Sequence, residues 1–132
     1  MESNLRTALL AWLASDLLLG AALNDVAEEA PSRASPPWLG IAASASTDWS
    51  TKTQSGREIR VALELHTRGE EAAETAALVS QVEKRVESLP QVQDGFAIAS
   101  IAFLRARAEQ RPRNTRAVLL EYRVRVLEAH TP

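Results

Sequence analysis

Near the start of the chain, apolar side chains recur every third or fourth residue, a spacing that places them on one face of a helix. Ser3 or Asn4 can cap the first turn, because a short polar side chain accepts a hydrogen bond from an unpaired backbone N–H. We expect this helix to reach about Leu19 and to end at Gly20. Its apolar face packs into the core and consists of Leu9, Leu13 and Leu17, widened by Leu10 and Trp12.

A strict alternation of polar and apolar residues follows Gly56, and a period of two predicts a strand with one buried face. The weaker alternation of Trp38–Asp48 predicts an earlier strand that pairs with this one as a hairpin. The polar turn between the two strands ends at Gly56, where we expect a positive φ. The buried face contains Ile59, Val61, Leu63 and Leu65, and the other face contains Glu58, Arg60, Glu64 and His66.

Residues 27–37 contain three prolines and no periodic pattern, which predicts a loop because proline restricts its own φ and the preceding residue. After Gly69, an acidic first turn predicts a second helix, since carboxylates complement the positive end of the helix dipole. Pro90 closes this helix. The acidic turn contains Glu70, Glu71 and Glu74; the buried stripe contains Leu78, Val82, Val86 and Leu89; the solvated side contains Glu83, Lys84, Arg85 and Glu87.

Two further strands follow a turn at Asp94 and Gly95, at about residues 97–107 and 117–127. We therefore predict an α+β fold with two helices packed on one face of a mainly antiparallel four-stranded sheet. The predicted element order is α-β-β-α-β-β, and residues 1–132 form a single domain. The buried face of the last strand contains Val118, Leu120, Tyr122, Val124 and Val126.

Composition excludes several classes of chemistry. The 132 residues include no cysteine and two histidines, so thiolate zinc sites, iron–sulfur clusters and cysteine nucleophiles are ruled out and a metal site is not expected. The five glycines form no phosphate-binding motif, and we expect no cofactor. Because 23 of the apolar residues are alanines, the core is modest and leaves little surplus to line a deep pocket. We also expect no targeting or membrane segment.

The best candidate for catalysis is the pair of Glu64 and His66, which lie two residues apart on one strand face. A carboxylate beside an imidazole can tune a general base. No third partner and no serine or glycine motif surrounds the pair, and polar strand faces are often mixtures of glutamate, arginine and histidine. We therefore do not expect an enzyme.

The distribution of charge is more informative than the net charge of −2. Residues 1–100 hold eight basic and 14 acidic side chains, a balance of −6, whereas residues 101–132 hold seven basic and three acidic side chains, a balance of +4. Two pairs of these arginines share strand faces, so the last hairpin can display four guanidinium groups together. The seven arginines are Arg105, Arg107, Arg111, Arg113, Arg116, Arg123 and Arg125.

Three interpretations of these arginines remain open. They can form a solvated strand face with neutralising neighbours, or contact an acidic surface of another subunit or partner, or bind DNA. Phosphate contacts need positive charge, but a chain with net charge −2 and few aromatics is a poor general binder of nucleic acid. The polar loop at residues 47–57, with Lys52 and Arg57, is a second candidate contact.

The order of these features resembles the small tail-completion, or tail-terminator, proteins of long-tailed phages and phage-like gene transfer agents. An alanine- and leucine-rich first helix leads through a proline-containing loop to a strand that begins near Trp38. A polar loop with Gly56 and Arg57 precedes the alternating strand at residues 61–65, and an alanine-rich helix follows. The chain then closes with the strand Leu120-Glu121-Tyr122-Arg123-Val124-Arg125-Val126.

This resemblance implies a structural protein without catalytic residues. Such proteins form rings, typically hexamers, on the end of the tail tube, stop its polymerisation and present a surface to the head-side connector. The implied partners are copies of the chain itself, the tube protein and the connector protein, with a passing contact to DNA in the lumen if the arginines face it. The implied location is the host cytoplasm during assembly and then the particle tail. The alternative from another class is a small ferredoxin-like module that binds a ligand or a protein and regulates.

Overall fold

The computed structural model describes residues 1–28, 35–69 and 72–129. The fold is α+β, as predicted, and places helices beside a single sheet. The helices are α1 (Glu2–Ala14), α2 (Leu17–Ala22) and α3 (Ala72–Glu87). The strands are β1 (Asp25–Ala27), β2 (Trp38–Asp48), β3 (Gly56–Arg68), β4 (Phe96–Arg111) and β5 (Thr115–Glu128).

The sheet has five strands in the order β1-β2-β3-β5-β4, so the prediction of four strands is wrong. The additional strand β1 has three residues, too few for a period of two to be recognised, and runs parallel to β2. Its pairing is supported by Asn24, whose backbone N–H donates to the Pro37 carbonyl at 2.7 Å. The loop was predicted at residues 27–37, but Ala27 is still part of β1, so the loop starts one residue later than predicted. Residues 29–34 lie outside the described part of the chain.

The first helical region is broken into two helices, which corrects the prediction of one helix ending at Gly20. α1 begins at Glu2 without a side-chain cap and ends at Ala14. The Asp16 carboxylate then accepts a hydrogen bond from the Leu19 backbone N–H at 3.0 Å and caps α2, which contains Gly20. Because an aspartate that bonds its own backbone favours a cap over a helix interior, the chain starts a new helix here.

The predicted core positions of the sheet are confirmed, and the helical ones are confirmed in part. The alternate residues of β3 and β5 named above are buried beneath α1 and α3. Val82 and Val86 are buried in α3, with Leu89 buried just beyond it, whereas Leu78 is only partly buried. Leu17 breaks the predicted α1 stripe, because 89% of its surface is exposed. Leu5, Leu9 and Leu13 form the buried face of α1.

A reciprocal contact between Trp12 and Arg85 joins α1 to α3. The Trp12 indole N–H donates to the Arg85 carbonyl, and the Arg85 Nε donates to the Trp12 carbonyl, both at 2.8 Å. The guanidinium also lies 3.4 Å from the centre of the indole ring, where a cation–π attraction adds to the hydrogen bonds. Arg85 is therefore part of the helix–helix contact rather than of a solvated side.

β4 is longer than predicted and forms one edge of the sheet. Its register with β5 shifts twice, between Ile98 and Ser100 and between Phe103 and Arg105, as β-bulges do. The helices leave this strand largely uncovered, since eight of the ten residues 99–108 are exposed. Phe103 contacts Tyr122 edge-to-face at 5.6 Å between ring centres, yet 47% of its surface remains exposed.

Gly56 is required by close packing rather than by a positive φ, so this part of the hairpin prediction is wrong. A Cβ at this position would lie 2.5 Å from the Trp49 carbonyl oxygen and 3.0 Å from the Val126 carbonyl oxygen. Positive φ values occur instead at Gly69 and Gly95, where the chain leaves β3 and enters β4. The hairpin of β2 and β3 itself is confirmed, with Asp48 opposite Arg57.

We predict that Gly56→Ala destabilises the protein by about 1–3 kcal/mol, because backbone atoms on two sides must shift to admit the methyl group. Chemical denaturation followed by circular dichroism measures the free energy of unfolding. The matched control is Gly20→Ala inside α2, where the nearest atom is 3.4 Å from the added Cβ. This control should stabilise by about 0.5–1 kcal/mol, and an unchanged Gly56→Ala would contradict the packing argument.

Candidate interaction surfaces

The face of the sheet turned away from the helices, called the outer face below, brings five of the predicted arginines together. The register of β4 and β5 places their side chains on this face, beside Arg60 of β3. The five are Arg105, Arg107, Arg111, Arg123 and Arg125.

The other four predicted site residues lie elsewhere. Arg113 is in the turn between β4 and β5, with a φ of 63°. Arg116 belongs to the helix side of the sheet, and Arg57 also points to that side, where it donates to the Ser46 hydroxyl at 3.3 Å. Lys52 is exposed in the loop between β2 and β3. The predicted residues therefore do not form one continuous patch.

Carboxylates neutralise much of the outer face. Arg105 forms a two-point contact with Glu121, and its hydrogen bond holds the pKa of that carboxyl below its usual range. Glu109 lies 3.2 Å from the Arg107 guanidinium and 2.9 Å from that of Arg111. The arrangement matches the first of the three interpretations, a strand face with neutralising neighbours, while a role in an interface stays a prediction.

Glu58 contacts two arginines at the opposite end of the outer face. From the sequence it was predicted only to lie on the polar face of its strand. Its Oε1 accepts a hydrogen bond from the Arg125 Nε at 3.0 Å and lies 3.8 Å from the Arg123 Nε. Arg125 also lies over the Trp49 ring, 5.4 Å from its centre. The Arg123 Nε is buried without a hydrogen-bond partner within the described chain. The Glu58 carboxylate thus contacts two arginines of the neighbouring strand β5.

Glu64 and His66 do contact each other, with 2.6 Å between the carboxylate Oε1 and the imidazole Nε2. Trp38 stacks on the imidazole at 4.0 Å with an interplanar angle of 13°, and Arg111 lies 3.8 Å from the same carboxylate. The pair is therefore packed beneath an indole on a strand face and has no nucleophile beside it. Residues 1–28, 35–69 and 72–129 contain no cluster of three side chains suited to a metal ion.

The polar loop between β2 and β3 is folded into a compact turn. The Thr51 N–H donates to the Gln54 carbonyl at 2.8 Å, and the Trp49 N–H donates to the Gly56 carbonyl at 2.9 Å. The Gln54 amide also donates to the Glu128 carbonyl at 2.7 Å, which ties the loop to the end of β5. This loop is therefore held in place by the sheet that it adjoins.

A groove separates α3 from the hairpin of β4 and β5 on the helix side of the sheet, and we call it the α3–β4 groove. Its volume is about 550 Å³, and its wall on α3 includes Ala76 and Val79. The facing wall includes Ala108 and Val118, and Glu83 and Arg116 flank the apolar part. The groove exists because the helices do not extend over β4.

The start of α2 exposes two leucines, Leu17 and Leu18, which we call the α2 knob. Their exposed fractions are 89% and 66%, the first being the largest of any big apolar residue in the described chain. Asp16 fixes the start of this helix and also accepts hydrogen bonds from the Gln81 amide at 3.2 and 3.3 Å. Neither the α2 knob nor the α3–β4 groove is predicted from the sequence. For the knob, the reason is that the helical spacing placed Leu17 on the buried face.

Comparison with known proteins identifies the family. The family described as "Tail completion protein gp17" matches residues 7–127. The chain belongs to this family. Membership in this family gives the chain a structural role in a phage-type tail. No match is found among curated protein sequences.

The fold of this chain is similar to that of a chain in a solved structure titled "Virion of native gene transfer agent (GTA) particle". The TM-score is 0.81 at 21% sequence identity, and the match covers 95% of this chain and 96% of that chain. The two proteins thus share their fold over nearly their full lengths. Within the described ranges of this chain, no helix is both long and apolar enough to span a membrane.

We predict that Asp16→Asn lowers the melting temperature at neutral pH and that the difference from wild type shrinks as the pH falls below about 4. The hydrogen bond from the Leu19 N–H, aided by Gln81 and Arg85, lowers the pKa of Asp16. A lowered pKa stabilises the fold above the ordinary pKa of the carboxyl, and that stability disappears as acid protonates it.

Thermal unfolding at pH 7 and at pH 3, followed by circular dichroism, measures this effect. Asp94→Asn is the matched control, because this aspartate is exposed in the turn before β4. A difference between wild type and Asp16→Asn that stays constant across the two pH values would contradict the assignment.

Proposed function

We propose that this protein closes into a hexameric ring on the end of a phage-like tail tube. The ring stops polymerisation of the tube and provides the surface that joins the tail to the head. The observation that carries this proposal is the family membership over residues 7–127. Its partners are further copies of the chain, the tube protein and the head-side connector protein. It acts as one domain over residues 1–132, in the host cytoplasm during assembly and then in the tail of a phage or gene transfer agent.

The edges of the sheet support a ring. β4 is 16 residues long, and within residues 1–28, 35–69 and 72–129 no strand pairs with one of its two sides. An exposed edge of this length can pair with another chain, and a ring covers such surfaces by placing each subunit against the next. At the opposite edge, β1 pairs with Trp38, Leu39 and Gly40, so among the described strands most of β2 also lacks a partner on that side.

We propose that the outer-face arginines and the loop residues Lys52 and Arg57 contact a neighbouring subunit or an adjacent tail or head protein. Ion pairs made within one chain can exchange for ion pairs across an interface when an acidic surface approaches. Glu58 and Glu121 keep these guanidinium groups oriented until then. Arg113, at the exposed turn beyond β4, is a separate contact of the same proposed kind.

Contact with DNA in the lumen is the second candidate role of the outer face. Its seven arginines exceed its four glutamates and one aspartate, which leaves a balance of +2. A weakly positive surface suits passing contact with a phosphate backbone better than tight binding, since each strong phosphate contact needs an available cation. The seven arginines are Arg60, Arg68, Arg105, Arg107, Arg111, Arg123 and Arg125, and the acidic residues are Asp25, Glu58, Glu64, Glu109 and Glu121.

The decisive experiment is cryo-electron microscopy of tails assembled with and without this protein. Without it, we expect tubes of unregulated length, because nothing stops addition of the tube protein. Adding the purified protein back should restore a narrow distribution of lengths and place a ring of 14.4 kDa subunits on the tube end. Tubes of the same length in both preparations would refute the proposed termination.

A further inference from the structure

We propose that the α2 knob of one copy inserts into the α3–β4 groove of the next copy, so that the subunits associate head to tail. This inference rests on the proposed ring and specifies the surfaces that build it. The knob contributes Leu17 and Leu18, and the groove contributes the apolar side chains of α3 and of the hairpin of β4 and β5.

The groove is chemically suited to leucine side chains. Ala76, Val79, Ala108 and Val118 line it, and its volume of about 550 Å³ falls in the range of ordinary binding clefts. Phe103 extends the apolar surface along β4, because the register places it on the same side of the strand as Ala108. Its 47% exposure leaves an aromatic surface beside the groove for a partner to cover.

The leucines of the α2 knob are exposed to water within one chain. Leu17 and Leu18 are adjacent on a short helix, and the exposed Ala21 and Ala22 enlarge the apolar surface around them. Large adjacent apolar side chains with exposures of 89% and 66% gain free energy when a partner removes them from water. Asp16 fixes the start of α2, so the two leucines are presented by a capped helix.

The two surfaces lie on opposite flanks of α3 and cannot meet within one copy. Gln81 and Arg85 contact Asp16 and Trp12, so this flank of α3 faces α1 and α2. Ala76, Val79 and Glu83 line the groove, and their spacing of three and four residues places them together on another flank. A contact between the knob and the groove therefore requires a second copy.

Charge favours the same orientation. Residues 1–48, which supply α1, α2, β1 and β2, hold six acidic and two basic side chains, a balance of −4. Residues 96–128, which supply β4 and β5, hold seven basic and three acidic side chains, a balance of +4. β1 and β2 lie at one edge of the sheet and β4 lies at the other, so head-to-tail association brings the acidic edge of one copy towards the basic edge of the next, where Arg116 lines the groove and the other arginines of β4 and β5 lie mainly on the outer face.

A contact between two different surfaces repeats from copy to copy and closes into a ring when the rotation permits. A twofold contact between two knobs would instead leave both grooves empty and would stop at a dimer. Because the knob and the groove are different surfaces of one subunit, their contact can repeat around a ring.

The first test uses one variant for each surface, assembled in the presence of tube protein. Leu17→Asp/Leu18→Asp changes only the knob, and Ala76→Glu changes only the groove. We expect each variant alone to associate at least about 30-fold more weakly than wild type, the effect typical of losing central interface residues. A mixture of the two should form one-to-one heterodimers, because one variant retains a groove and the other retains a knob.

The control is Val92→Asp, whose side chain is 83% exposed and lies in neither surface. It should form rings like wild type, and mass photometry with a melting curve separates lost association from lost folding. Rings of wild-type yield from both surface variants would overturn the knob-and-groove contact and leave the ring proposal intact. A groove variant that assembles normally while the knob variant fails would also overturn it.

Because the chain has no cysteine, introduced cysteine pairs allow a second test, in which a cross-link between copies reports the contact directly and does not depend on a loss of assembly. In Leu18→Cys/Ala76→Cys, one cysteine lies on α2, which packs against one flank of α3, and the other lies on a different flank of α3, so we expect oxidation to join them between copies. We expect a ladder of covalent oligomers on assembled tails and none from the control Val92→Cys/Ala76→Cys. Rings without that ladder would refute the contact, whereas the failure of wild-type protein to form rings on tubes would refute the proposed function itself.

Discussion

The width of a helix limits how much of this sheet can be buried. A helix with its side chains is about 10 Å across and neighbouring strands lie about 4.8 Å apart, so each helix covers about two strands. α1 and α3 lie side by side, joined by Trp12 and Arg85, and bury the central strands. The two helices do not extend over β4, the last strand of the sheet, and this leaves a groove beside α3. The surfaces available for assembly are therefore a direct result of a two-helix layer on a five-stranded sheet.

The outer face meets a different requirement, because no helix covers it and it must be compatible with water. Arginine and glutamate side chains meet this need by pairing across strands, as Arg105 does with Glu121 and Arg125 with Glu58. Surface pairs of this kind add little stability but orient long side chains. The result is an ordered polar face that can remain solvated or meet a partner.

The sequence predicts the central strands well because each has one buried face. In β3 and β5 the alternation of apolar and polar residues continues for more than ten residues, so Leu63 and Leu120 are placed correctly. The family resemblance rests on the same regular elements. The short strand β1 has no such pattern, and its pairing with Trp38 depends on a backbone arrangement that periodicity does not encode.

The helical break and the interaction surfaces are harder to predict. Leu17 continues the spacing of Leu9 and Leu13, but the Asp16 cap rotates the following turn out of phase. Gly56 is a glycine because of two carbonyl oxygens that approach from Trp49 and Val126, and the approach of Val126 comes from strand pairing that no local turn signal encodes. The balance of charge along the chain is visible in the sequence, whereas the pairing of each arginine depends on which strands become neighbours.

The position of β5 between β3 and β4 also sets the order in which the molecule can fold. β3 has no partner on one side until β5 has been synthesised, so the first hairpin remains half of a sheet on the nascent chain. The pairing of Ile59 with Val124 closes a long stretch of sequence, and such distant contacts slow folding. Any chaperone that binds the growing chain would therefore meet the apolar face of β3 before its last neighbour arrives.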